Sequence, residues 1–233
     1  MRFVRGRGAV AAAVALFAAA SSLNAAMAQP VFAQARTAKD DIAQLSRAGE
    51  ARAVGPDSAR VTVIEFMDYA CPVCATFHLQ RADSIRRALA ADVKIVYVNF
   101  PLAQHLRSFH GSEAALCAGL VGGYAAFTAM SDRLFRHQGE WSEASDPGTA
   151  FTRYAKEGSI DSVAFAGCRA RDAVSPLILS DLETANKFEI DATPTFVFLP
   201  RGATSAADAP RVSGSITMAQ FTALIAQARA KSK

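Results

Sequence analysis

The stretch from Val61 to Ala75 constrains the fold most, because a strand-like run there leads directly to a pair of cysteines. Residues Val61–Phe66 are apolar and rich in β-branched side chains, which predicts a buried strand. After a short polar break, Cys71 and Cys74 stand three apart at the start of a helix predicted over 71–90. A helix N-terminus favours a thiolate, and this spacing puts both sulfurs on one helix face. The stretch therefore indicates thiol–disulfide exchange.

Two other interpretations of the cysteine pair remain open at this point. One is an inert disulfide, and the other is half of a metal site. A zinc site of the usual kind needs a second close-spaced ligand pair, whereas Cys117 and Cys168 are 51 positions apart. Redox chemistry is the favoured interpretation, and we expect neither a metal nor a cofactor.

The first 28 residues have the pattern of a secretory signal peptide. Arg2, Arg5 and Arg7 precede an apolar run over 9–20, and Ala26-Met27-Ala28 is a small-x-small cleavage signature. The alternative is an uncleaved anchor, but about a dozen apolar residues fall short of the ~20 that span a bilayer. We predict cleavage before Gln29, export to the periplasm, and no later segment that crosses a membrane.

Loss of the signal peptide changes how the charge is interpreted. The whole chain carries 25 basic and 21 acidic residues, and three of the arginines lie in the first 28 residues. The remaining 22 basic and 21 acidic residues give a net charge of +1. The basic character is therefore no indication of a nucleic-acid partner, and we expect none.

The rest of the chain predicts an α/β fold with a helical insertion. We assign residues 29–56 to an Ala-rich leader segment and 57–233 to a single domain. A second strand over 93–100 completes a strand–helix–strand unit, which is typically parallel and right-handed. Only helical patterns occur between about 102 and 187, interrupted at Gly122-Gly123 among other turn signals. Two more strands and a final helix follow, which predicts a mixed sheet flanked by helices.

Two motifs carry a resemblance to a known family. They are Gly55-Pro56 with Val61–Phe66, Asp68-Tyr69 and Cys71-Pro72-Val73-Cys74, and the distant segment Asp191–Phe198. Together they resemble the DsbA-like branch of the thioredoxin-fold superfamily, from about Gly55 to the C-terminus. The resemblance implies a thioredoxin fold, and the helical insertion fits this branch.

We expect Cys71 to be the more exposed, attacking thiolate and Cys74 to be the resolving thiol. Pro72 and Val73 tune the redox potential. Valine cannot donate a hydrogen bond to the Cys71 sulfur, so we predict a less oxidising couple than a Cys-Pro-His-Cys protein has.

The resemblance adds residues on two other strands. It implies that the Thr193-Pro194 bond is cis and binds a substrate peptide in extended form. It also implies that Glu65 is a buried carboxylate that exchanges protons with the resolving thiol. The alternative for Glu65 is a position at a strand edge, with its carboxylate in solvent.

Two further sets of residues have less certain roles. We favour a structural disulfide between Cys117 and Cys168 in the insertion, since an exported pair seldom stays reduced. Two free buried thiols or a second redox pair are the alternatives. The four histidines, His78, His105, His110 and His137, are assigned to the solvated surface.

These features lead to three functional hypotheses. The first is an exported, monomeric oxidase that introduces disulfides into cysteine-containing exported proteins and is reoxidised by a membrane partner of the quinone reductase type. The second is an isomerase or reductase kept reduced by a membrane donor, which the threonine before Pro194 favours. The third is a non-catalytic binding protein or chaperone on the same scaffold.

Overall fold

A computed structural model of the chain describes residues 38–89, 91–203 and 209–232. The predicted signal peptide lies outside the described residues. In chain order the elements are α1 (Ala38–Ala51), β1 (Ala53–Val54), β2 (Val61–Met67), α2 (Pro72–Phe77), a π-helical turn (His78–Ala82), α3 (Asp83–Arg87), β3 (Val93–Asn99), α4 (Ser108–Arg136), α5 (Gln138–Ser142), α6 (Gly148–Glu157), α7 (Ser162–Arg169), α8 (Ser175–Lys187), β4 (Thr195–Pro200), β5 (Arg211–Ser213) and α9 (Met218–Lys231).

The five strands form one mixed sheet in the order β1-β3-β2-β4-β5. Strand β2 pairs in parallel with β3, with Val61 opposite Val93. On its other side β2 pairs antiparallel with β4, with Phe66 opposite Thr195. The mixed sheet with flanking helices confirms the predicted fold class. Strand β2 is internal, so the loop after it opens near the middle of the sheet edge.

Side chains of β2 alternate between the two faces of the sheet. Val63 and Met67 belong to the larger core, which includes residues of α2, α4 and α9. Phe66 belongs to a smaller core on the opposite face, together with Ala185 of α8. Because the side-chain period of a strand is two, Glu65 points into the larger core with Val63 and Met67.

The chain before β2 contributes more to the domain than the predicted leader segment implies. Helix α1 packs against α4, and its residue Ala48 is fully buried. Strand β1 extends the sheet by pairing antiparallel with β3, with Ala53 opposite Val96. Arg52 between them forms a buried ion pair with Asp181 of α8. Part of the segment assigned to the leader therefore forms an edge of the sheet.

Between β3 and β4 the described structure contains only helices, α4 to α8, as predicted for the insertion. The backbone of α4 leaves helical geometry at Gly122 and Gly123, where a break was predicted. Gly123 has φ +68°, a left-handed conformation that glycine adopts without steric cost.

The expectation that no segment after the signal peptide suits a membrane was wrong for α4. Judged by length and composition, this helix is long and apolar enough to cross a bilayer. Half of its most apolar window is buried inside the protein, and Leu116 and Cys117 are fully buried. Its Glu113 also forms an ion pair with Arg169. Packing in the protein core accounts for the apolar composition of α4.

The helix predicted over 71–90 is divided into three parts. Helix α2 ends at Phe77, a π-helical turn covers His78–Ala82, and α3 ends at Arg87. A π turn inserted in an α-helix often occurs beside a functional site. Here the turn begins four residues after Cys74.

Candidate active site

Cys71 is the N-cap residue of α2, with an extended backbone at φ −78° and ψ 121°. Pro72 follows at the first helical position, where its missing N–H is not needed for a hydrogen bond. Cys71 has 6% of its surface exposed and Cys74 has none, whereas Val73 between them is 45% exposed. Both cysteines are thus buried, and Val73 between them lies at the protein surface.

The two thiols differ strongly in acidity. The hydrogen bond from the Cys74 side chain is the largest cause that lowers the pKa of Cys71, to about 5. A hydrogen bond with Thr193 and the backbone N–H groups of Cys74 and Val73 act in the same direction, against the effect of burial. Burial is the largest cause that raises the pKa of Cys74 well above its usual range. At neutral pH Cys71 is therefore a thiolate, and Cys74 holds its proton.

The Thr193-Pro194 bond is cis and lies beside the cysteines. In its thiol form Cys71 donates a hydrogen bond to the Thr193 carbonyl oxygen, with 3.4 Å between sulfur and oxygen. Thr193 is 8% exposed, and its buried hydroxyl has no hydrogen-bond partner within the described structure. Since β4 follows directly after Pro194, the pairing of β4 with β2 brings together residues 122 apart in the sequence.

Glu65 of β2 is 3% exposed, so the alternative of a solvent-exposed strand edge does not apply. Its Oε1 lies 2.8 Å from Nε2 of His78. The assignment of His78 to the surface was wrong: the residue is 7% exposed, and its ring stacks on Phe135 with centroids 4.3 Å apart. The four-residue spacing from Cys74 was a signal that His78 shares the helix face of the resolving cysteine.

Asp68 was named as part of the sequence motif, but sequence reasoning missed its role in shaping the active-site loop. Asp68 is fully buried, and it accepts hydrogen bonds from the Ala70 N–H at 2.7 Å and the Leu102 N–H at 2.9 Å. Its carboxylate also pairs with Nδ1 of His105 at 2.7 Å and accepts a hydrogen bond from Ser108. His105 is therefore tied to the loop rather than free on the surface.

A second missed residue, Gln138 of α5, fixes the backbone around Cys71 from the side of the insertion. Its Nε2 donates to the Tyr69 carbonyl oxygen at 2.8 Å and to the Cys71 carbonyl oxygen at 3.0 Å. No sequence pattern pointed to Gln138, because its contacts are 67 and 69 positions away along the chain.

Cys117 and Cys168 form a disulfide that joins α4 to α7, with their Cα atoms 5.7 Å apart. Both residues are buried within the insertion, whereas Cys71 and Cys74 are free. Among the residues described by the structure, no group of three or more His, Cys, Asp or Glu side chains is arranged to hold a metal ion.

The geometry defines a class of protein: a mixed sheet delivers a Cys-x-x-Cys pair to a helix N-terminus, opposite a cis-proline loop. The sequence model of the Thioredoxin family matches residues 47–225. The chain therefore belongs to the thioredoxin family. Among solved structures it is similar to α-DsbA1 of Wolbachia pipientis, with a TM-score of 0.66 and 21% identity over 77% of this chain and 91% of that one. Its fold is thus that of the DsbA-like members of the family.

Curated relatives match over part of their length. A protein of Rickettsia bellii, provisionally named a protein-disulfide oxidoreductase, is 21% identical over 147 residues, which cover 63% of this chain and 54% of that protein. The Na(+)/H(+) antiporter NhaA 1 of Salinispora arenicola is 32% identical over 145 residues, covering 61% of this chain and 20% of the antiporter. The chain thus spans about one fifth to one half of the curated relatives that it matches.

Proposed function

We propose that the protein is an exported thiol–disulfide oxidoreductase that introduces disulfides into exported proteins through Cys71 and Cys74. The difference in acidity between the two thiols carries this proposal. A thiolate is the reactive form of cysteine, and stabilising it stabilises the reduced protein. A pKa of about 5 for Cys71 therefore favours reduction of the enzyme and oxidation of its substrate.

The proposed reaction begins with an oxidised enzyme in which Cys71 and Cys74 are joined. A substrate thiolate attacks the Cys71 sulfur, forms a mixed disulfide and releases Cys74 as a thiolate. Since the pKa of Cys74 is raised, this sulfur takes up a proton. A second substrate thiolate then attacks the substrate sulfur of the mixed disulfide, which forms the substrate disulfide and releases Cys71 as a thiolate. Two electrons pass from the substrate to the enzyme.

The loop at Pro194 supports substrate binding in this scheme. The Thr193 carbonyl lies at hydrogen-bonding distance from the Cys71 sulfur, so an extended peptide paired with this backbone has its cysteine next to the reactive sulfur. Such binding uses main-chain groups and tolerates many substrate sequences. We accordingly propose cysteine-containing exported proteins as substrates of a monomeric enzyme.

Export and reoxidation complete the proposal. The pattern of residues 1–28 supports a cleaved signal peptide and a periplasmic location. Each cycle leaves both active-site thiols reduced, so turnover requires an oxidant. We propose a membrane partner of the quinone reductase type for this step.

Two assays on the mature protein test the proposed direction of electron flow. Oxidised protein is expected to restore activity to reduced, denatured ribonuclease, with little reduction of insulin in the presence of dithiothreitol. Strong insulin reduction without ribonuclease oxidation would instead indicate the isomerase or reductase. If the wild type shows no more activity than Cys71→Ala in either assay, the result would indicate the non-catalytic binding protein.

A further inference from the structure

The pair formed by Glu65 and His78 is unusual because of its depth. The two side chains have 4% and 3% of their surface exposed, and they meet at 2.8 Å between Oε1 and Nε2. Removing two polar side chains from water is costly, so a buried pair is weak evidence for a stabilising role. The position of His78 one helical turn after Cys74 points to a chemical role.

His78 is also a direct helical neighbour of Cys74. The backbone N–H of His78 donates to the Cys74 carbonyl oxygen, so a regular α-helical turn separates the two residues. Side chains four apart on a helix have Cβ atoms about 5–6 Å apart, and a helical side chain lies over the turn that precedes it. The four-residue spacing therefore places the imidazole on the same helix face as Cys74.

One ring nitrogen of His78 has no assigned contact. Nε2 faces Glu65, while Nδ1 is buried and makes no hydrogen bond in the described part of the chain. A buried nitrogen without a partner is costly, so its persistence calls for an explanation. An imidazole can hold a proton on either nitrogen, which suits a group that receives a proton on one side and passes it on from the other.

Cys74 needs such a group. Its thiol is fully buried and cannot exchange a proton directly with solvent, yet it gains or loses a proton in each half of the proposed reaction. We propose that His78 carries this proton between the Cys74 thiol and the Glu65 carboxylate, forming a relay of two residues beneath the active site. This inference rests on the proposed function.

The proton is accounted for both when the Cys71–Cys74 disulfide opens and when it forms again. When a substrate thiolate opens the Cys71–Cys74 disulfide, the electron pair of the broken bond stays on Cys74, which takes one proton from the His78–Glu65 pair. When Cys74 later attacks a mixed disulfide at the Cys71 sulfur, its proton returns to the pair, a new Cys71–Cys74 bond forms and the partner leaves as a thiolate. Solvent restores the proton in the first direction and accepts it in the second.

Other ionisable groups around the pair do not replace this relay. Those facing the relay or its neighbours are Tyr97 from β3, Tyr69 from the loop after β2, Asp132 from α4, Arg86 from α3 and Arg52 from the segment before β1. Burial is the largest cause that raises the pKa of both tyrosines, so they stay neutral at physiological pH. An arginine side chain has no dissociable proton near neutral pH, and the Asp132 side chain is 44% exposed.

The test separates the two cysteine steps with an aromatic disulfide that releases one coloured thiolate per step. Attack by Cys71 gives a first phase that depends on reagent concentration, and attack by Cys74 gives a second, unimolecular phase. The variants are His78→Gln, whose amide can still donate to Glu65 but cannot carry a proton, His78→Phe, which keeps the stacking on Phe135, Glu65→Gln and the double variant His78→Gln/Glu65→Gln. Thermal unfolding followed by circular dichroism identifies any variant that fails to fold.

We expect His78→Gln to slow the second phase by at least about tenfold, while the first phase changes by less than about twofold. The rate of the second phase, plotted against pH, should lose one of its two sloping arms. The double variant should be no slower in this phase than the slower of the two single variants, because both residues serve one relay. If His78→Gln reacts at the wild-type rate in both phases, the relay is refuted, because a hydrogen bond from the glutamine amide to Glu65 would then be enough for the reaction of Cys74. Additive effects in the double variant would also refute it. If the wild type exchanges no disulfide at all, the proposed function fails instead.

Discussion

Replacing Cys74 by alanine removes the group that lowers the pKa of Cys71 most strongly. With a pKa of about 5, Cys71 is almost entirely thiolate at neutral pH, whereas an ordinary thiol near pKa 8.5 is about 3% thiolate. A hydrogen bond to a charged group contributes about 1.5–3 kcal/mol, which corresponds to roughly 1–2 pH units. Because the backbone N–H groups of Cys74 and Val73 still lower the pKa of Cys71 in the variant, we expect Cys74→Ala to raise that pKa by about 1 pH unit.

The assay is the ultraviolet absorbance of the thiolate as a function of pH, checked by the rate of alkylation with iodoacetamide. Cys74→Ser is the matched control, because its hydroxyl can still donate to the Cys71 sulfur and should give a smaller rise. The reasoning is refuted if the wild-type thiol titrates near pH 8.5, or if Cys74→Ala leaves the midpoint unchanged.

Four more predictions concern stability and redox tuning. The pKa of Cys71 is lower in the folded than in the unfolded protein, so its contribution to the stability of the reduced protein is complete above about pH 8.5 and is lost as the pH falls through about 5. The difference in melting temperature between the reduced and the oxidised protein should therefore change in favour of the oxidised protein as the pH falls over that window. Val73→His should raise the reduction potential, since imidazole adds a donor near the Cys71 sulfur, and an unchanged or lower potential in a glutathione titration would refute this. Asp68→Asn should lower the free energy of unfolding in urea by about 2–4 kcal/mol, because several donors lose an acceptor oxygen, while the exposed control Asp57→Asn should leave it nearly unchanged. The double variant Cys117→Ala/Cys168→Ala should lose up to about 4 kcal/mol of stability and keep the wild-type rate of Cys71 alkylation, whereas a changed rate would indicate a redox role for this pair.

The parts of the site that sequence predicted are those with local signals. The strand before Cys71 has an uninterrupted apolar pattern, and the cysteine spacing defines the helix N-terminus. The Thr193-Pro194 pair was found from the family resemblance and from its position directly before another apolar strand, and the sheet pairing brings it to Cys71.

What the sequence did not reveal depends on contacts between distant segments. Asp68 and Gln138 act on loops whose positions follow from the packing of the insertion, and a polar residue in a loop carries no signal of such contacts. His78 was assigned to the surface as the default for a histidine, and its burial, its stacking on Phe135 and its contact with Glu65 show otherwise.

The segment before β2 shows a different limit. Its composition is Ala-rich and polar, which suggested a leader, and its short strand β1 has too few residues for a recognisable pattern. Its place is determined by pairing with β3 and by the buried contact between Arg52 and Asp181.

Trapping of the mixed disulfide is the most direct test of the proposed chemistry. Cys74→Ser should accumulate a covalent adduct with a cysteine-containing peptide supplied as its disulfide, because the Cys71 thiolate displaces one half of that disulfide as a thiolate. Intact-mass measurement and peptide mapping would locate the adduct at Cys71, and dithiothreitol would release it. Cys71→Ser should form no such adduct under the same conditions, because Cys74 is buried and protonated. An adduct at Cys74 in Cys71→Ser, or none at Cys71 in Cys74→Ser, would contradict the assignment of Cys71 as the attacking sulfur.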